Sequence, residues 1–138
     1  MVDQQYFELP EFSGILTFID AIFAEINMGL LIYHVESPED IRTARLIYAN
    51  KQASEFTGTD LRRQVGKLIF DAFPYLVDTE IPRLYQEAIS DRKSHHVGIV
   101  DYEDENVQRG RYSTRVFPMP SECIGVLFDT VPLEGAGS

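Results

Sequence analysis

The strongest periodicity in the chain lies near its start. Phe12, Ile15, Leu16, Ile19, Ile22, Phe23 and Ile26 recur at steps of three and four, the spacing that gathers side chains on one stripe of a helix. Thr17, Asp20, Ala24 and Glu25 fall on other faces, and Asn27 and Gly29 supply a stop. The pattern predicts an amphipathic helix over residues 12–27, after a flexible start at residues 1–11. Such a stripe can pack on the domain's own sheet or pair with a second copy of the chain. Periodicity alone leaves both uses open. Phe12, Ile15, Leu16, Ile19, Ile22 and Phe23 are therefore the candidates for a dimer interface.

From Leu30 the pattern becomes that of strands. Residues 30–35 are apolar on both faces, as in a central, covered strand. Pro38 breaks pairing in the turn that follows. Leu46, Ile47 and Tyr48 form a second, β-prone run that Asn50 stops. The short side chain of Asn50 accepts a bond from an orphan backbone N–H, which makes it a helix N-cap. Thr57-Gly58 closes that short helix, because glycine tolerates the left-handed conformation after the last turn. Thr59 offers a second cap, Leu61 and Val65 a second short apolar face, and Gly66 a second stop. Asp78 or Thr79 then caps a longer helix with Ile81, Leu84, Tyr85, Ala88 and Ile89 on one face. Pro82 is tolerated in its first turn, where a missing N–H costs nothing. Beyond Ser94 the period returns to two. Strands are predicted at 97–102, 111–117 and 123–131, joined by turns at 103–106 and 118–121. Two successive hairpins require antiparallel pairing. Residues 132–138 read as a linker or tail.

Asn50, Ala53, Thr57-Gly58, Asp60-Leu61-Arg62-Arg63, Gly66-Lys67 and Phe73-Pro74 form an ordered set that resembles the PAS family, the sensory domains of signalling proteins. The resemblance spans residues 28–131. It implies an α+β, PAS fold: a five-stranded antiparallel sheet with short helices and one longer helix on one face, preceded by the N-terminal helix. It also implies a domain that binds a small ligand or a partner and regulates an attached output module, such as a histidine kinase or cyclic-dinucleotide enzyme. The competing class is a ligand-free dimerisation module. PAS domains sense through a pocket between sheet and longer helix. Strand alternation predicts that Leu31, Tyr33 and Val35 share the inward face of the first strand, Val97 and Ile99 that of the third, and Leu127 that of the last. Phe56, Ile69, Phe73, Leu84 and Tyr85 would close the other side. Tyr33 and Tyr85 stand out, because a buried hydroxyl needs a partner. Many PAS domains end in Asp-Ile-Thr, where the aspartate and threonine couple the last strand to a following helix; Asp129-Thr130-Val131 keeps the aspartate and moves the threonine forward, so Asp129 is the candidate signal exit.

Composition narrows the partners. The 138 residues suit one domain, 44% of them hydrophobic, with 12 basic against 22 acidic residues and a formal charge of −10. Such a surface repels nucleic acid and anionic membranes. No apolar run reaches the ~20 residues of a membrane span, and residues 1–5 lack the regions of a signal peptide. The lone Cys123 forms no internal disulfide, which fits a cytoplasmic setting. Catalytic motifs are missing: there is no Gly-x-Ser-x-Gly elbow, phosphate loop or His-Glu-x-x-His helix, so an input domain rather than an enzyme is expected. The acidic run at 101–106 lacks the spacing of a calcium loop and reads as a solvated hairpin tip. For cofactors the resemblance is selective. The light-sensing branch carries a flavin-bonding cysteine where Ile69 stands here, which argues against covalent flavin. The haem-binding branch carries its ligand where His95 stands, before Val97-Gly98-Ile99, although the acidic Asp101-Tyr102-Glu103 replaces that branch's arginine. Haem through His95 is thus a lesser alternative to no cofactor.

Overall fold

A computed structural model describes residues 10–105 and 107–132, with side chains from Gly14 onward. The helices are α1 (Pro10–Ile26), α2 (Lys51–Thr57), α3 (Ile69–Ala72) and α4 (Ile81–Asp91). The strands are β1 (Gly29–Val35), β2 (Ala44–Ala49), β3 (His95–Asp104), β4 (Val107–Met119) and β5 (Cys123–Thr130). Short 3-10 turns lie at Ile41–Thr43, Leu61–Gln64 and Pro74–Asp78. Among the described residues the five strands form one antiparallel sheet in the order β2-β1-β5-β4-β3. Helix α1 begins at Pro10 rather than Phe12. Residues 1–9 and 133–138, most of the expected flexible start and tail, lie outside the described residues.

The capping signals act as the chain predicts, with Asn50 carrying the most. Its Oδ1 accepts from Ala53 N at 2.8 Å, capping α2, and from Leu30 N at 3.0 Å. Its Nδ2 donates to Met28 O at 2.9 Å. Gly58 ends α2 at φ 74, its N–H donating to Ser54 O and Glu55 O. Asp60, rather than Thr59, accepts from Arg62 N at the turn that follows. Thr79 Oγ1 accepts from Ile81 N at 3.1 Å and so serves the first turn of α4.

The sheet has two covered faces. Inward, Leu31, Tyr33, Val35, Leu46, Val116, Ile124, Val126 and Phe128 pack with residues of α2, α3 and α4. Outward, Leu30, Ile32, Ile47, Tyr48 and Cys123 pack under Leu16, Ile19 and Phe23 of α1. The apolar residues of α1 therefore divide between two faces instead of forming one stripe. Leu16, Ile19 and Phe23 are half-buried on the sheet, whereas Ile15, Phe18, Ile22 and Ile26 are exposed. Phe12 lies outside the residues whose side chains are described.

The strand edges differ. On β2, Leu46 N donates to Lys67 O and accepts, through its carbonyl, from Gly66 N, so the loop before α3 covers that edge. On β3, the last strand of the sheet, the outer edge has no backbone partner among the described residues, and the strand is broken by a bulge. His96 pairs with Arg115 and Gly98 with Thr114, leaving Val97 as the extra residue and Gly98 at φ 90. A bulge of this kind reverses the alternation beyond it.

Asn50→Ala would orphan Leu30 N–H, Ala53 N–H and Met28 C=O together. The expected loss of stability is about 3 kcal/mol, the sum of a lost cap and of buried groups left without partners. Urea unfolding measures it; a loss below about 1 kcal/mol would mean that the three groups find other partners.

Candidate functional site

A cavity of about 80 Å³ lies between the inner face of the sheet and α4. Strand β1 supplies Leu31 and Tyr33, β5 supplies Val126 and Phe128, and β4 supplies Val107, Tyr112 and Thr114. Val100 and Tyr102 of β3, Ile81 and Tyr85 of α4, and Thr57, Leu61, Phe73 and Leu76 complete the wall. None of these side chains is charged, and all but Val100 and Tyr102 are buried.

Three hydroxyls of the wall have partners. Thr57 Oγ1 donates to Ala53 O at 2.8 Å. The Tyr102 hydroxyl donates to the Asp104 carboxylate, and that of Tyr112 lies 3.5 Å from Phe56 O and from Gln108 O. Tyr33 differs. It is fully buried, and among the described residues its hydroxyl has no hydrogen-bond partner. The other buried side-chain atom in that condition, Gln64 Oε1, belongs to a residue outside the wall. The Tyr33 ring stands 6.1 Å from that of Tyr85, tilted by 47°. Burial pushes the Tyr33 phenol well above its ordinary pKa, and the nearby Tyr85 and Tyr102 add to the effect. Burial also raises Tyr85. Both phenols are therefore neutral across the physiological range and act as hydrogen-bonding groups.

Of the residues predicted to face a pocket, Leu31, Tyr33, Phe73 and Tyr85 line this cavity. Val35 and Ile69 are fully buried in the inner core but lie outside the lining. Phe56 and Val97 are half-buried against that core, and Leu84 is half-buried on α4 outside the lining. Two positions face elsewhere. Ile99 is 59% exposed, because the bulge at Val97-Gly98 turns Val100 and Tyr102 inward in its place. Leu127 lies on the outer face: it pairs with Leu30, whereas Val126 pairs with Leu31. Directly opposed residues share a face, so Val126 and Phe128 are the inward members of β5. The remaining lining residues missed by alternation come from Val107, Tyr112 and Thr114 of β4, inward-facing in an unbroken period of two around Tyr112 and Thr114, and from turns. Asp129 is exposed, its Oδ1 accepting from Thr130 N at 2.8 Å.

The residues do not fit haem or a covalent flavin. His95 lies outside the lining, and its Nε2 pairs with the Asp91 carboxylate at 2.8 Å, with Glu87 3.9 Å from Nδ1. The cavity is also far smaller than the ~300–1,000 Å³ of pockets for drug-sized ligands. Ile69 is fully buried where a flavin-bonding cysteine would stand, and Cys123 belongs to the outer face, its thiol pushed up to about 11 mainly by burial.

Neither a protein-family model nor a curated protein matches the sequence. Solved structures do match in shape. The PAS domain of a protein from Colwellia psychrerythraea aligns with a TM-score of 0.62 at 11% identity, over 85% of this chain and 97% of that one. A sensory box sensor histidine kinase from Vibrio cholerae aligns at 0.54 and 15% identity, over 88% and 95%. An RNA-binding light-oxygen-voltage receptor aligns at 0.61 and 13% identity over 90% of this chain, which spans only 35% of that protein. The fold is the PAS fold.

Tyr33→Phe removes a buried hydroxyl that has no partner in the wall, so the ligand-free protein is expected to gain about 1 kcal/mol. Thermal or urea unfolding of the two proteins side by side checks this. A loss of similar size would mean that the hydroxyl is already satisfied.

Proposed function

We propose that this PAS-fold domain is a sensory input module, in which occupancy of the inner cavity biases the position of α1 and, through it, an attached output domain. One observation carries the reading: β1 touches the cavity with one face and α1 with the other. Leu31 and Tyr33 line the cavity, while Leu30 and Ile32 pack in the outer cluster with Leu16, Ile19 and Phe23. Strand β5 repeats the arrangement with Val126 and Phe128 inward and Leu127 outward. Close-packed layers transmit displacement, so a change in cavity volume is felt under α1. The Tyr48 hydroxyl also donates to the Asp20 carboxylate, tying α1 to β2. A signal further requires that the ligand prefer one of two arrangements. The output in this reading is a histidine kinase or cyclic-dinucleotide enzyme in the same signalling protein; one structural neighbour is a sensory box sensor histidine kinase. Catalysis would then belong to that output and none to this domain. A charge of −10 supports protein partners over nucleic acid or anionic membrane, in a cytoplasmic setting.

A second reading, a ligand-free dimerisation module, draws on the exposed row Ile15, Phe18, Ile22 and Ile26. These residues follow one another at helical steps and have no cover among the described residues, so a second copy of α1 is the natural occupant in either reading. Phe18, 73% exposed, is the most open of them.

Two measurements separate the readings. Phe18→Asp is expected to shift the solution mass from dimer to monomer by light scattering; an unchanged mass would remove the α1-mediated dimer. Val100→Phe, which fills the cavity from its partly exposed wall, is expected to change amide exchange in residues 14–26 severalfold, with Val126→Ile as a milder second filler. If α1 exchanges identically in both folded variants, the sensory reading fails and the dimerisation module remains.

A further inference from the structure

We propose that the cavity takes a small neutral molecule with a hydrocarbon body and one oxygen that hydrogen-bonds Tyr33, such as a short ketone or alcohol. This rests on the sensory reading and names the ligand class for that site. Three observations select the class. The first is size: about 80 Å³ accommodates roughly three to six non-hydrogen atoms and excludes nucleotides, flavins and haem. The second is charge. The wall holds neither a cationic side chain to pair with a carboxylate nor a carboxylate to pair with an ammonium, and an unpaired ion would be desolvated among carbon atoms. The third is the Tyr33 hydroxyl, fully buried and without a partner among the described residues. A pure hydrocarbon would leave it unsatisfied, whereas a carbonyl or hydroxyl oxygen meets the need that every buried donor carries. Thr57 donates its hydroxyl proton to Ala53 O and Tyr102 to Asp104, so neither competes for the oxygen that Tyr33 would bind.

The test is a titration of the isotopically labelled protein, followed by its amide resonances, with three probes of similar size: butan-2-one, butyrate and tetramethylammonium. Butan-2-one is expected to shift Leu31, Tyr33 and Val126 saturably, and the two ions are expected to leave them unmoved. Tyr33→Phe should remain folded and bind butan-2-one about five- to tenfold more weakly, the loss of one hydrogen bond. The proposal is overturned if either ion binds as tightly, if Tyr33→Phe binds butan-2-one unchanged, or if no probe moves these amides. Failure of the sensory reading looks different. If no probe binds yet Val100→Phe still alters α1 exchange, the ligand class is wrong and the sensory reading stands. If butan-2-one binds but neither it nor Val100→Phe alters α1, the site stands and the coupling fails.

Discussion

The carboxamide of Asn50 satisfies backbone groups from three parts of the chain: the link after α1 at Met28, the start of β1 at Leu30, and the first turn of α2 at Ala53. The residue is 1% exposed, and Leu30 and Ala53 are buried with it, so their N–H groups have no water as an alternative. A buried amide with both ends engaged is a constraint on geometry as much as a source of stability. It holds the entry of the sheet against the helix that begins the inner layer. The path of the chain out of α1 is set by the same contact. Asn27, at φ 62, turns the chain between α1 and that anchor. The outer helix and the inner helices are thereby referred to one point.

The inner strands β1 and β5 have almost no solvent-facing side. Strand β1 is apolar in both directions, and β5 nearly so, because the sheet is covered by α1 on one side and by α2 to α4 on the other. The inner layer is not completely filled. Tyr112 and Phe128 meet edge-on at 5.5 Å and Phe56 meets Phe128 at 6.1 Å, so rigid rings support part of the wall. Rings with few rotamers leave gaps that flexible aliphatic chains would close, and the cavity lies beside such rings.

Much of this architecture was legible in the residues because its signals are local. Asn50 and Gly58 bound α2 through caps that involve near neighbours, and residues 30–35 announce a doubly covered strand by their composition. Placement of side chains in the cavity was less legible, for three separate reasons. On β3, alternation counted from Val97 fails because Gly98 adopts a left-handed conformation within a bulge, and Ile99 is turned out. On β5, the choice between Val126 and Leu127 depends on register with β1, which is a pairing between residues far apart in the sequence. On α1, a broad run of apolar positions does not say that the helix has one covered face and one bare. Gly98 was the available signal: a glycine inside a strand often marks a bulge. Tyr33 was visible as a residue whose hydroxyl needs company, but that it lacks it is a property of the packed wall.

The unequal edges of the sheet have a consequence for how copies of the chain can meet. Strand β2 has its edge occupied at Leu46 by the loop before α3. Strand β3 has no such cover among the described residues, and an open edge is a template for strand-to-strand growth. Its outer reach carries Asp101, Glu103 and Asp104, and its regular pairing is interrupted at Gly98. Two such edges brought together would oppose like charges across a kinked backbone. Ribbon-like polymerisation through the sheet is therefore disfavoured.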